Sequence, residues 1–145
     1  MSAKLVVGLD GGEVQTPALV YARNLATLIG DCELIVVYVI EWSPYSFQTA
    51  EENEQRHKRR EQEIALANER VVDPVVSALS NEGFKTRGVV RHGNVADVLE
   101  LVAREEDATQ IIVARTSNQS LSSRIFGSST ANLVMHASVP VTVVN

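Results

Sequence analysis

The sequence predicts an α/β domain built on an open, five-stranded parallel sheet with helices on both faces. Three observations carry this reading. Short β-branched runs alternate strictly with helical patterns, and such alternation implies parallel strands joined by right-handed crossovers. The run Glu33 to Ile40, ELIVVYVI, is too continuously apolar to have a wet face, as expected of a strand buried on both sides. Leu, Ile, Val and Ala dominate the 45% hydrophobic content while aromatics make up 5%, a mix that suits a sheet covered by helices better than a sandwich.

The elements follow in order. Leu5-Val6-Val7-Gly8-Leu9 reads as the first strand, ended by the turn signal Asp10-Gly11-Gly12. The first helix opens at Thr16-Pro17, a cap followed by proline at the first helical position. Ala18, Ala22, Leu25, Ala26 and Ile29 form its inward stripe, and Gly30 stops it. Strand two is Glu33 to Ile40, and Glu41 to Ala50 is a loop carrying Trp42, Pro44, Tyr45 and Phe47. Residues 51 to 81 form a long charged helical pattern, with Ile64, Leu66, Ala67, Val71, Val75, Ala78 and Leu79 facing inward. A continuous helix there would be about 45 Å long, but Pro74 is expected to kink or interrupt it. Phe84 to Arg91 alternates more and is placed nearer an edge. Asn94 caps a helix from Val95 to about Glu106, with Asp97 at its third position. Strand four is Gln110 to Arg115. Gly127-Ser128 opens the last helix, whose Ala131, Val134 and Met135 face the sheet. Val139 to Val144 is strand five.

With 145 residues, the chain can bury roughly 70% of its unfolded surface as one domain spanning 1 to 145. A net charge of −5 argues against general affinity for nucleic acid or acidic membrane, which needs a basic face. The basic cluster Arg56 to Arg60 is flanked by glutamates and reads as a solvated, ion-paired helix surface. Cys32 is the single cysteine, which excludes an intrachain disulfide and a thiolate metal cage. There is no signal-peptide pattern at the start and no apolar run near the ~20 residues of a membrane span. The expectation is a soluble, cytoplasmic protein.

In open parallel sheets ligands sit beyond the carboxyl ends of the strands, where strand order reverses. Asp10 and the stretch from Gln110 to His136 both follow strands at that edge. The second combines a buried strand, a Ser-rich loop without acids, and Gly127-Ser128-Ser129-Thr130 at a helix start. Free N–H groups and the helix dipole there favour an anion. Asp10 can accept a hydrogen bond from a ligand amine or hydroxyl, or serve simply as a turn-former. No Walker loop, no G-x-G-x-x-G after strand one and no nucleophile elbow occurs. His57, His92 and His136 lack metal-ligand spacing, and His136 reads as a dipole-compensating residue.

The chain resembles the universal stress protein family over essentially its whole length. The resemblance lies in the Asp10 turn, the VYVI strand ending and the closing P-V-T-V-V strand. It also lies in the loop, where nucleotide-binding members show G-x-x-G, nine residues, then G-[ST]. Here the spacing is kept as Ala114, Ser117, nine residues from Asn118 to Phe126, then Gly127-Ser128. The resemblance implies a Rossmann-like fold of the adenine nucleotide alpha hydrolase type with strand order 3-2-1-4-5. It further implies a stress-response regulator binding ATP or AMP, with Mg²⁺ held through the phosphates. Asp10 and the Val39 backbone would hold adenine or ribose. Val113, Ala114, Ser117, Gly127, Ser128 and Ser129 would complete the site around the phosphates. The last strand, Val141 to Val144, would pair with its copy in a homodimer.

Two of the motif's three glycines are replaced, by Ala114 and Ser117. Glycine lets backbone N–H groups approach phosphate closely; the Ser117 hydroxyl can itself donate, and Arg115 and Arg124 can add charge-assisted bonds. The replacements also leave room for a nucleotide-free interaction protein acting through partners. An enzyme ranks last, at most a slow ATPase, because the sequence offers no nucleophile–base or carboxylate pair.

Overall fold

The computed structural model describes residues 2–41, 50–115 and 123–145, with side chains described outside 50–53 and 123–128. Five strands form one parallel sheet: β1 (Ala3–Gly8), β2 (Cys32–Ile40), β3 (Lys85–His92), β4 (Gln110–Ala114) and β5 (Val141–Val144). Their order is β3-β2-β1-β4-β5. Both expectations hold: the architecture is the α/β one read from alternation, and the order is the one the family resemblance implied. β3 lies at an edge, as its alternation indicated, and β5 at the other.

Strand period divides the core between the two faces. Leu5, Val7, Leu34, Val36 and Ile112 point to one side with Ala18, Leu19, Ala22 and Ala26 of α1 (Pro17–Ile29) and Val75 and Leu79 of α3 (Asp73–Asn81). Val6, Ile35, Val37, Ile111 and Val113 point to the other, with Val98, Leu99 and Val102 of α4 (Val95–Glu105) and Leu133 of α5 (Ser123–His136). α1 begins where its cap signal places it: Thr16 Oγ1 accepts from the Leu19 N–H, with Pro17 in the first turn. It ends at Gly30, where φ is +90°. Its inward stripe includes Leu19 rather than Ile29, which is 41% exposed.

The long charged pattern departs from a single rod. α2 (Ala50–Ala67) passes through a π-helical turn, Asn68–Val72, into α3. The wider turn, with the Asp73 N–H reaching back to the Asn68 carbonyl, comes just before Pro74. That proline has no N–H for the carbonyl four residues earlier, and its ring would collide with that carbonyl in a regular helix. The interruption expected at Pro74 therefore falls one turn ahead of it. It also shifts the helical phase. Ala67 and Val72 are buried, while Leu66 is left exposed. Val72 presses onto the sheet at Gly88, where an added Cβ would collide with Val72 Cγ1.

α5 also differs from its reading. It opens at Ser123, before Gly127, and Leu133 is its buried anchor, whereas Val134 and Met135 are 53% and 77% exposed. β5 likewise starts at Val141 rather than Val139. Buried Glu100 ties α4 to the connection between α5 and β5: its Oε1 accepts the Ser138 N–H at 2.8 Å and its Oε2 accepts from Arg104. At the amino edge of the sheet, Arg87 bridges buried Glu33 and Glu106, with Lys4 and Lys85 beside them. Arg87 holds the Glu106 carboxyl below its ordinary range.

Two outcomes follow. Gly88→Ala overpacks the π-turn contact and should cost about 1–3 kcal/mol in a denaturant melt. Hydrogen bonds from Ser138, then Arg104, hold the Glu100 carboxyl below its ordinary value of 4.5. A lowered folded value stabilises above the unfolded one and is lost as pH falls through it. Stability of the wild type should thus drop below about pH 4.5. Glu100→Ala, which strands the Ser138 N–H, should cost about 1–3 kcal/mol at neutral pH and flatten that acid limb.

Candidate functional site

β1 lies between β2 and β4, where the winding reverses: the chain runs outward from β1 to β2 and β3, then crosses back to β4 and β5 on the other side, and a crevice opens beyond the carboxyl end of β1. A cavity of about 640 Å³ occupies that place. Its walls come from the β1 loop (Asp10, Gly11, Gly12, Glu13), the end of β2 (Val37 to Glu41), Val113 and Ala114 of β4, Val95 and Leu99 of α4, and Ser129, Thr130 and Leu133 of α5. The size falls in the range of small-ligand sites.

The β2 wall offers backbone groups. β1 pairs with β2 up to Gly8 opposite Val37, and the Leu9 N–H donates to the Val37 carbonyl at 2.8 Å. Tyr38, Val39 and Ile40 continue beyond, paired with β3 alone. In a parallel strand, residues two apart direct their backbone groups to the same side. Val39, two beyond Val37, therefore turns its N–H and C=O past the end of β1 into the cavity. Such a donor and acceptor pair suits the edge of a nitrogenous base.

Asp10 keeps solvent contact at the cavity mouth, yet the surrounding protein desolvates its carboxyl and raises its pKa above the usual 3.8. A carboxylate so placed gains from a donor, such as a sugar hydroxyl. Across from it, Ala114 is half-buried at the end of β4, paired with Val144.

The structure thus brings together Asp10, Val39, Val113, Ala114 and Ser129 of the residues the sequence singled out. Ser117 lies outside the described residues, as do the rest of the loop to 122 and the aromatics Trp42, Tyr45 and Phe47. Gly127 and Ser128 lie inside α5, four and five residues past its start. The first-turn N–H groups lacking a helical partner therefore lie at Ser123 to Ile125, ahead of Gly127-Ser128-Ser129.

Thr130, Thr16, Glu13, Glu41, Val95 and Leu99 also line the cavity and were not singled out. Thr130 stood in the quoted Gly-Ser-Ser-Thr run. The α4 residues carried no signal, since their heptad-like spacing says core and not cavity. Among the described lining residues, the charged ones are the carboxylates of Asp10, Glu13 and Glu41. Arg115 instead donates to the Asn145 side chain at 3.0 Å. No group of three or more His, Cys, Asp or Glu side chains among the described residues could hold a metal ion.

Solved structures share this fold. The universal stress protein UspA from Lactobacillus plantarum superposes with a TM-score of 0.78 at 19% identity, over 99% of this chain and 97% of that one. The universal stress protein from Archaeoglobus fulgidus in complex with dAMP gives 0.56 at 19% identity, over 99% and 98%. A universal stress protein family protein from Arabidopsis thaliana with AMP bound gives 0.59 at 13% identity, over 98% and 90%. No curated protein sequence matches the chain. No helix among the described residues is long and apolar enough to cross a membrane. The sequence pattern of the universal stress protein family matches residues 1–145, and the chain belongs to that family.

Proposed function

We propose that this protein binds an adenine nucleotide, AMP or ATP, in the cavity beyond β1, and acts as a small regulatory module in the cytoplasm under stress. The observation that carries the proposal is the Val39 backbone turned into the crevice opposite Asp10. A base edge meets Val39, and a ribose hydroxyl meets Asp10. The phosphates extend past Ala114 toward Ser117 and the start of α5, with Gly127, Ser128 and Ser129 on that helix and Mg²⁺ riding on the phosphates. The dAMP and AMP carried by family members of the same fold support this reading.

Binding to the folded state alone must raise the melting midpoint. At a hundredfold excess over Kd the gain is about 2.7 kcal/mol, roughly 5–10 °C for a chain of this size. AMP and ATP should give the shift, GTP should not, and ATP should need Mg²⁺ more than AMP does because of the acidic wall. Asp10→Ala and Gly127→Val should each abolish most of the shift while leaving the unliganded midpoint within about 2 °C, the scale of ~0.5 kcal/mol. Normal binding by both variants would refute the site.

A second reading, a nucleotide-free interaction module, is favoured by Ala114, which lines the cavity where the family's binding motif has glycine. Both readings share a twofold dimer through β5, an edge strand with Val143 40% exposed that would pair with its copy. Light scattering should give twice the monomer mass, and a monomer would refute the dimer. A dimer with no response to any nucleotide at millimolar concentration would select the second reading.

A further inference from the structure

The loop carrying Asp10 does not rest on the sheet alone. Beyond β1, Gly12 meets the π-helical turn that joins α2 to α3. A Cβ on Gly12 would stand 2.8 Å from the Arg70 carbonyl oxygen and 3.5 Å from the Val71 Cα. These are backbone atoms and cannot yield as the tip of a flexible side chain would. A Cβ on Gly11 would meet nothing within 4 Å, so the steric demand falls at Gly12.

The carbonyl is there for a chemical reason. Pro74, four residues on, has no N–H to give it, and its ring would collide with it in a regular helix. The helix widens into the π-turn, as such turns do near functional sites. The same turn is held from beneath, where Val72 sits on Gly88. The turn is therefore fixed to the sheet at β3 and presses the β1 loop at Gly12.

We propose that the π-turn is the seat of the Asp10 loop. Pro74 keeps the Arg70 carbonyl out of the regular helical ladder, Gly12 closes against it, and this contact fixes where Asp10 stands relative to the Val39 backbone. Pro74 and Gly12 are positioning residues: they set ligand affinity through Asp10. The inference rests on the cavity being the nucleotide site, and extends control of that site to residues 70–74, none of which is among its described lining.

The test uses ¹H–¹⁵N spectra of the full chain without ligand, followed by AMP titration. Pro74→Ala restores an N–H that can draw the Arg70 carbonyl back into the helix. It should shift the amides of Asp10, Gly11 and Gly12, remote in sequence, and weaken AMP binding roughly tenfold, or ~1.4 kcal/mol. Gly12→Ala should shift the amides of Val71, Val72 and Asp73 and weaken AMP binding by a similar factor. The double variant should bind AMP better than Gly12→Ala alone, because the carbonyl that the new methyl meets has withdrawn. A general loss of stability would give additive losses instead, and additivity overturns the seat. So do unchanged Asp10 to Gly12 amides in Pro74→Ala. If wild type binds no AMP, the nucleotide reading fails, while reciprocal amide shifts still support the contact between turn and loop.

Discussion

The central strand stops before its neighbour does. β1 pairs with β2 only as far as Gly8, and β2 runs on through Ile40. Because β1 also stands where the sheet's connections change direction, its early end leaves a roofless notch flanked by backbone groups of β2 on one side and the end of β4 on the other. Backbone amides and carbonyls turned into such a notch require partners, since unpaired buried polar groups are costly. A ligand with its own donors and acceptors meets that requirement. The notch exists for topological reasons, and the side chains at its rim decide what enters.

Those rim side chains are held from several directions. Ala114 is fixed by the β4–β5 ladder, and Ser129 and Thr130 by α5, whose Leu133 anchors it in the α4 core. The Asp10 loop is held by contact between Gly12 and the π-turn, and that turn is keyed to β3 through Val72 and Gly88. Even the remote amino edge contributes. Glu33, Arg87 and Glu106 lock the end of α4 to β2 and β3, and the same helix supplies Val95 and Leu99 to the cavity. Among the described lining residues, Asp10, Glu13 and Glu41 offer carboxylate acceptors to a ligand that brings a donor.

The residues visible in the sequence as special were those whose role is local. Thr16-Pro17 and Asn94 cap helices wherever they occur before an amphipathic run, because the cap bond spans three residues. Asp10 was legible because it follows a strand. Leu133 and Val72 were not, since the sequence around each offers neighbouring apolar residues at equally good spacing. Val134 and Met135 satisfy the helical period as well as Leu133 does, and the docking angle of α5 decides between them. The π-turn brought Val72 into the inward stripe of the long helix, whose Ala67, Val75 and Leu79 are buried as their spacing indicated.

By itself the sequence determined the alternation of strands and helices, the parallel sheet, the edge on which a site must lie and the presence of Asp10 at that edge. These follow from hydrophobic period, turn chemistry and chain connectivity, all short-range or combinatorial. Tertiary structure decided that Val39 turns its backbone into the notch, that α5 begins before Gly127, and that α4 and Glu41 share the wall. It also brought the Arg70 carbonyl, four residues before Pro74, against Gly12 in the β1 loop. Each of these depends on how far one strand outruns its neighbour or how one helix lies on another. Such distances are set by packing among residues far apart in the chain, which no local spacing records.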